Sequence, residues 1–305
     1  MKTCCFLTLL VILNTILVAQ RLVGREIIIN PMFTELPSDQ RDSLRWMSSV
    51  SAWGGFGYYA MGDREHAWYQ KLGVLIELFR NGEESSFFFE SNIEFIANDR
   101  NDIGFNPSAI IWEEGFMYTL RLNQSFLQIG YFHRCKHNVD NLSEGYERTL
   151  IFGGLLFKYI LPLTKPRTHQ WSYLALRTEI YTIRQDLRVP DKFKELNPNF
   201  KQLLGTVALN LNNHKSLSRH FGVYLNAYGS LNFFGINKGF LDRFNSLQTV
   251  QFNGGFSTGF AIQGVAHFRI GLNVEYFSDN IIDPFPKSSL LLSLGIMIID
   301  PKAML

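Results

Sequence analysis

The sequence predicts an all-β fold, a transmembrane antiparallel up-and-down β-barrel of about twelve strands. Three observations carry that prediction. The N-terminus reads as an export signal, apolar and polar residues alternate at period two over segments of roughly ten residues or more, and the connections between segments are by turns short and long. A soluble sandwich also alternates, but over strands of about 5–6 residues. A tilted strand that crosses a bilayer needs about ten.

The first element is residues 1–19. Lys2 precedes an apolar run from Phe6 to Val18, and the polar pair Gln20 and Arg21 follows. A spanning helix would need about 20 apolar residues, so the run reads as a secretory signal peptide cleaved near Ala19. Cleavage removes Cys4 and Cys5, which leaves Cys135 as the one thiol of the mature chain and no partner for an internal disulfide. Residues 20–45, polar and carrying Pro31 and Pro37, form a periplasmic N-terminal segment, and residues 46–305 form the barrel. With 29 Lys and Arg against 27 Asp and Glu, the chain offers no basic excess to a nucleic-acid partner. Its aromatic fraction of 14% is high for a mean hydropathy of −0.01, so the rings need a covering.

The strands follow in order. "KLGVLIELF" places Leu72, Val74, Ile76 and Leu78 opposite Lys71, Gly73 and Glu77. "SSFFFESNIEFIAN" sets Phe87, Phe89, Ile93 and Phe95 against Glu90, Asn92 and Glu94, and "WEEGFMYTLRL" sets Trp112, Phe116, Tyr118, Leu120 and Leu122 against Glu113, Thr119 and Arg121. Further on, Leu174, Leu176 and Ile180 oppose Tyr173, Arg177 and Glu179, while Val223, Leu225 and Leu231 oppose Tyr224, Asn226, Tyr228 and Asn232. Val250, Phe252, Phe256 and Phe260 oppose Gln251, Asn253 and Ser257; Phe268, Ile270, Leu272, Val274 and Tyr276 oppose His267, Arg269, Asn273 and Glu275. Short links such as "RNGEE", "LNQS" and "QGV" take turns with longer ones such as "CKHNVDNLSEGYE" and "SDNIIDPFPKS", as expected of periplasmic turns and external loops. The inner face carries both signs: Lys71, Glu77, Glu90, Glu94, Glu113, Arg121, Lys158, Arg177, Glu179, Arg269 and Glu275. Facing one another across a narrow lumen, such charges pair and fill it, which argues for a closed barrel and against a general porin.

Chemistry-bearing residues gather in "GYFHRCKHNVDN", Gly130 to Asn141. Period two puts Leu127, Ile129 and Tyr131 on one face and carries His133, Cys135 and His137 onto the same lipid-facing side at the external rim, unless a bulge turns them inward. The residues alone leave three readings open: a polar strand end with no chemistry, a nucleophilic site, and a metal site of His133, His137 and Asp140 with Cys135. His66, His169, His214 and His220 fall in turns or loops and read as solvated.

The stretch His133 to Arg148, "HRCKHNVDNLSEGYER", resembles without gaps the active-site stretch of the outer-membrane phospholipase A family. That family has a histidine, any residue and a serine nucleophile on the lipid-facing side, then an asparagine on the next strand just before an arginine. His133 falls on the histidine, Cys135 on the serine, Glu147 on the asparagine and Arg148 on the arginine; Lys136 and His137 stand where the family has Asn-Gly. The resemblance implies a barrel of about twelve strands. It also implies a hydrolase of phospholipid or lipid A acyl esters in which Cys135 attacks, His133 is the base and Glu147 orients it. It implies further a homodimer formed around calcium, with Asp140 and Ser143 at positions the family uses near the ion and His137 beside them. A looser likeness, in the His-Cys-His cluster and the "F-x-x-L-x-x-D-x-R" of Phe33 to Arg41, is to bacterial barrel proteins of no assigned activity, and implies the fold alone. The expectation is therefore an outer-membrane barrel with a closed lumen and outer-membrane lipids as partners. Whether it is an enzyme stays open between no activity and lipid hydrolysis.

Overall fold

Long alternating segments have one way to satisfy both lipid and their own backbone, which is to close on themselves. The computed structural model describes residue 32 and residues 43–98, 107–139, 148–164, 170–187, 202–235, 247–279, 281–282 and 287–300. They form twelve strands: β1 (Leu44–Met61), β2 (Trp68–Asn81), β3 (Ser85–Ala97), β4 (Ala109–Leu122), β5 (Ser125–Asn138), β6 (Thr149–Pro162), β7 (Trp171–Leu187), β8 (Leu203–Ser216), β9 (Phe221–Gly235), β10 (Leu247–Gln263), β11 (His267–Phe277) and β12 (Ser289–Ile299). Each pairs antiparallel with its neighbours in the chain, and β1 closes against β12 from Trp53↔Ile299 to Met61↔Leu292. The predicted up-and-down barrel is the observed one. β1 starts two residues earlier than expected because Leu44 and Arg45 pair with Asn81 and Arg80 of β2. The signal peptide, nearly all of the N-terminal segment and the last five residues lie outside the described residues; Met32 is buried and belongs to the core cluster.

Turn chemistry sorts the two ends. β4 and β5 are joined by Asn123 and Gln124 alone, with Asn123 at φ 57°, and the β2–β3 turn bends at Gly82, φ 50°. β8–β9 and β10–β11 are similarly short, whereas the links leaving β3, β5, β7, β9 and β11 are longer. The short turns mark the periplasmic end.

The outer face carries large apolar side chains around the barrel. Leu72, Phe116, Leu176, Leu225, Leu272 and Leu294 are among its exposed large side chains. A continuous apolar wall of this kind cannot face water in a stable monomer, and lipid is the covering it fits.

Inside, several of the expected charges pair, Arg269 lies over rings instead of against a carboxylate, and Arg121 is not inside. Arg121 sits exposed at the periplasmic rim against Glu83, 2.8 Å away, because it is one residue from the end of β4. Lys71 faces Glu94 at 3.5 Å. At mid-barrel, Arg134 donates from Nε to Glu113 (2.5 Å) and through Nη1 and Nη2 to Glu179 (3.2 and 3.1 Å), while Arg177 Nη2 reaches both carboxylates, at 3.2 and 2.5 Å. Tyr181 donates its hydroxyl to Glu179 as well. The interior is also more apolar than the alternation suggested. Phe88, Phe132, Phe152 and Leu156 are fully buried among these charges; Phe132 lies 4.8 Å beneath the Arg134 guanidinium and meets Tyr181 edge-on at 6.0 Å. A narrow barrel has to be filled, and rings fill the space that pairs of charges leave.

Replacing Arg134 by Ala leaves two buried carboxylates sharing one arginine. Urea unfolding in detergent micelles or lipid should show a loss of about 3–5 kcal/mol. A loss below about 1 kcal/mol would mean that the quartet is solvated.

Candidate functional site

The site is built on β5 and its two neighbours. Neither pairing of β5 contains a register shift, so period two holds from Ser125 to Asn138 and no bulge turns the cluster inward. Gln128, Phe132, Arg134 and Lys136 therefore point into the lumen, all buried, and His133, Cys135 and His137 take the outer face. Their exposures differ: His137 is exposed at the rim, His133 is half-buried, and Cys135 is only 7% exposed. Cys135 is flanked in register by Trp112 of β4 and Ile151 of β6.

One functional group escaped the sequence reading. Glu114 of β4 stands directly opposite His133, and Ser91 of β3 directly opposite Glu114, so Ser91, Glu114 and His133 form one polar row across three adjacent strands on the lipid side. Directly opposed side chains have Cβ atoms about 4.5–5.5 Å apart. The signal was present in "WEEG": in an alternating strand two consecutive acids cannot both face inward, and Glu113 takes the lumen. Trp112 Nε1 donates to Ser91 Oγ (3.2 Å), and Tyr131 Oη lies 2.9 Å from Thr182 Oγ1 at a bulge in β7, which extends the polar row around the wall. His133 stands five residues below the external end of β5. At about 3.3 Å per residue and a tilt near 40°, that is roughly 12 Å beneath the strand end.

The other expected members separate. His133 and His137 lie four residues apart on a continuous strand, about 13 Å, too far to share a metal. The metal reading depended on the strand ending there, and it runs on to Asn138. Among the described residues, no group of three or more His, Cys, Asp or Glu could hold a metal ion. Glu147, Asp140 and Ser143 lie outside the described residues. Arg148 is described and points into the external end of the lumen. There its Nη1 donates to Asp279 Oδ2 (2.8 Å), and Nε and Nη2 reach Asp186 at 3.4 and 3.5 Å. Burial pulls the Arg148 pKa down, but Asp279 and Asp186 outweigh it and hold the guanidinium above its ordinary value. Lys136 donates to the Arg148 carbonyl (2.9 Å) and to Asn138.

Two of the four histidines expected to be solvated are buried. His66 fills the β1–β2 connection, where its Nδ1 lies 2.7 Å from Asp63 and its ring meets Tyr59 edge-on. His214 is not in a turn: β8 extends to Ser216, so the histidine falls on an inward position of the strand. It stacks on Trp171 at 4.3 Å, and His267 of β11 stacks on the same indole at 5.6 Å. Arg269 lies over Trp171 and over Tyr224, at 5.7 and 4.7 Å. His220 is exposed as expected, and His169 lies outside the described residues. The lumen is thus bridged at both ends, by Arg148 just before β6 and Asp279 just after β11 on the external side and by the Trp171 stack from β7 to β11 on the periplasmic side.

No protein-family model matches the chain, and no curated protein matches it. Among solved structures it is similar to outer membrane phospholipase A from Escherichia coli, at 11% identity and a TM-score of 0.46 over 82% of this chain and 92% of that one. It is also similar to the Salmonella typhi outer membrane phospholipase dimer with bound calcium (13%, 0.47, 89% and 96%) and to LpxR from Salmonella typhimurium (8%, 0.43, 82% and 99%). These likenesses carry no inference about activity. The closed ladder and the apolar outer wall do decide where the chain resides. It is a β-barrel of the bacterial outer membrane. The architecture implied by the resemblance to the phospholipase A family is the one observed.

Proposed function

We propose that this outer-membrane barrel does not conduct and works instead at its lipid-facing wall. The observation that carries the reading is the bridging of the lumen at both ends, with the paired Glu113, Arg134, Arg177 and Glu179 and the buried rings between. A water-filled channel would leave such charges lining an open passage. In planar bilayers the purified protein should give no steady current step. A stable ohmic conductance would contradict the reading.

A second reading is favoured by a specific arrangement: His133 and Cys135 share the outer face, with Glu114 opposite the imidazole. Ionisable groups facing hydrocarbon cost free energy in proportion to their depth, and a wall that keeps three of them in one place suits chemistry on lipid. The reaction is acyl-ester hydrolysis of phospholipid or lipid A. Cys135 Sγ attacks the acyl carbonyl while His133 takes the thiol proton. The bond from the acyl carbon to the alcohol oxygen breaks, and that oxygen leaves with the proton. Water then cleaves the thioester, which releases the fatty acid and restores the thiol. Glu147 was expected to orient His133; in this reading Glu114, its register partner on β4, takes that role.

Envelope lipids are the partners in this reading, and the family resemblance adds a second copy of the chain. Calcium takes hard oxygen ligands, and of Asp140, Ser143 and His137 the one among the described residues, His137, offers a nitrogen. No step is therefore routed through the ion. Fatty-acid release from mixed micelles, with and without calcium and at protein concentrations spanning a monomer–dimer range, checks the reading. The parent should release fatty acid, with a loss of about 100-fold or more in Cys135→Ala and in His133→Ala. Folded parent that releases none, or variants that match it, would end the hydrolase reading and leave the non-conducting barrel standing.

A further inference from the structure

Attack by a thiolate on an acyl carbonyl builds negative charge on the carbonyl oxygen, and donors aimed at that oxygen usually supply the largest single part of the rate. The backbone of β5 offers none. It is paired to β4 and to β6 with no register shift, so the N–H groups on either side of Cys135 belong to the ladder. On the β4 side, Trp112 Nε1 already donates to Ser91 Oγ, and Glu114 brings negative charge. The β6 side differs.

There His133 faces Gly153 in register, and the glycine has no side chain to cover its own patch of wall. Tyr131 leans across it, with its Oη 3.1 Å from the place where a Cβ on Gly153 would stand. Opposed Cβ positions are about 4.5–5.5 Å apart, which sets this hydroxyl within about 9 Å of the His133 Cβ, on the side away from Glu114. Cys135 follows two residues on, about 7 Å along the same face. A bulge holds the hydroxyl in place. Gly153 pairs with Ile183 and Gly154 with Tyr181, so Thr182 is the extra residue of β7. It is exposed, and its Oγ1 lies 2.9 Å from Tyr131 Oη and 3.2 Å from the Gly153 carbonyl oxygen. Bulges re-aim a side chain and gather beside active sites.

We infer that Tyr131 is the oxyanion donor of the hydrolase proposed for this wall and that Thr182 positions it; the inference rests on that reading. When Thr182 donates to the Gly153 carbonyl, Tyr131 donates to Thr182. Hydroxyl hydrogens rotate to suit their partners. As charge builds on the acyl oxygen, Thr182 turns its proton to Tyr131 Oη, and the phenol donates outward to that oxygen. A hydroxyl that accepts one hydrogen bond donates a stronger one, and more so in a low dielectric. No proton passes to the acyl oxygen. Its charge returns to the carbonyl as the alcohol oxygen leaves with the proton held by His133. Around the wall the order is then a carboxylate for the imidazole, the imidazole with the thiol, and a donor for the oxygen.

The test compares Tyr131→Phe, Thr182→Val and Thr182→Ser with the parent, each as the full mature chain folded in mixed micelles and checked by heat-modifiable migration. Acyl release is followed from a phospholipid and from its thionoester analogue, in which a weakly accepting sulfur replaces the carbonyl oxygen. On the ester, Tyr131→Phe should lose about 100-fold in kcat with KM unchanged. Thr182→Val should lose about tenfold, and Thr182→Ser, which keeps the hydroxyl, should match the parent. The parent should favour the ester over the thionoester, and Tyr131→Phe should lose that preference. A role confined to shaping the bulge would slow both substrates alike. Should Tyr131→Phe not fold, Thr182→Val carries the same comparison. Unchanged kcat, or a preference retained in full, overturns the inference and leaves the hydrolase reading intact. A folded parent that releases the acyl chain from neither substrate removes both.

Discussion

A polypeptide in hydrocarbon has no water with which to pair its backbone N–H and C=O groups, and each one left unpaired costs several kcal/mol. Closure of β1 against β12 removes both edges of the sheet at once, and most of what distinguishes this chain follows from that closure. Once the ladder is complete, every strand has one face on lipid and one on the interior. The apolar rows headed by Leu72, Phe116 and Leu272 then have their place outside. The charges of Arg134, Glu113, Arg177 and Glu179 have theirs inside, where they can meet.

Much of this was legible in the letters because the side-chain period of a strand is two and the strands are long. The face of nearly every residue could be counted off, and β5 followed the count without a slip from Leu127 to His137. Counting failed where it was not carried across strands. Glu114 was passed over although its neighbour Glu113 was assigned inward, and only the pairing of β4 with β5 set it against His133. Strand ends were misjudged where polar residues continue a strand past its apolar part. "NNHKS" reads as a turn, yet Asn212 and His214 are inward residues of β8, held by Trp171 through a hydrogen bond to one and a ring stack on the other. Fully buried Phe88 and Phe152 were hidden for the opposite reason. A barrel interior that is mostly polar still needs volume, and an inward phenylalanine breaks no rule that a one-strand count can see.

The two faces divide the chemistry between them. The lumen is stapled across at its external end by Arg148 and Asp279 and at its periplasmic end by the stacked Trp171, His214 and His267. The outer wall is oil-facing except along the row of Ser91, Glu114 and His133, which continues toward Tyr131 and Thr182. Polar groups so placed are costly in lipid, and Trp112, reaching across to Ser91, covers part of that cost from the side. The cysteine sits just above the row and is nearly covered, so a lipid chain lying along the wall would meet it more readily than a solute in water would.

The alternation itself is the claim on which the faces, the lumen and the outer row all depend. It can be measured along one strand, by placing a nitroxide label singly at each position from Leu127 to His137 on a background without Cys135 and recording collision with oxygen and with a water-soluble nickel chelate in lipid vesicles. Oxygen accessibility should rise at the odd positions and fall at the even ones through the whole of β5, with the nickel chelate gaining access only near His137. High oxygen accessibility at residues 128, 132 and 134, or a period of 3.6 in its place, would contradict the barrel described.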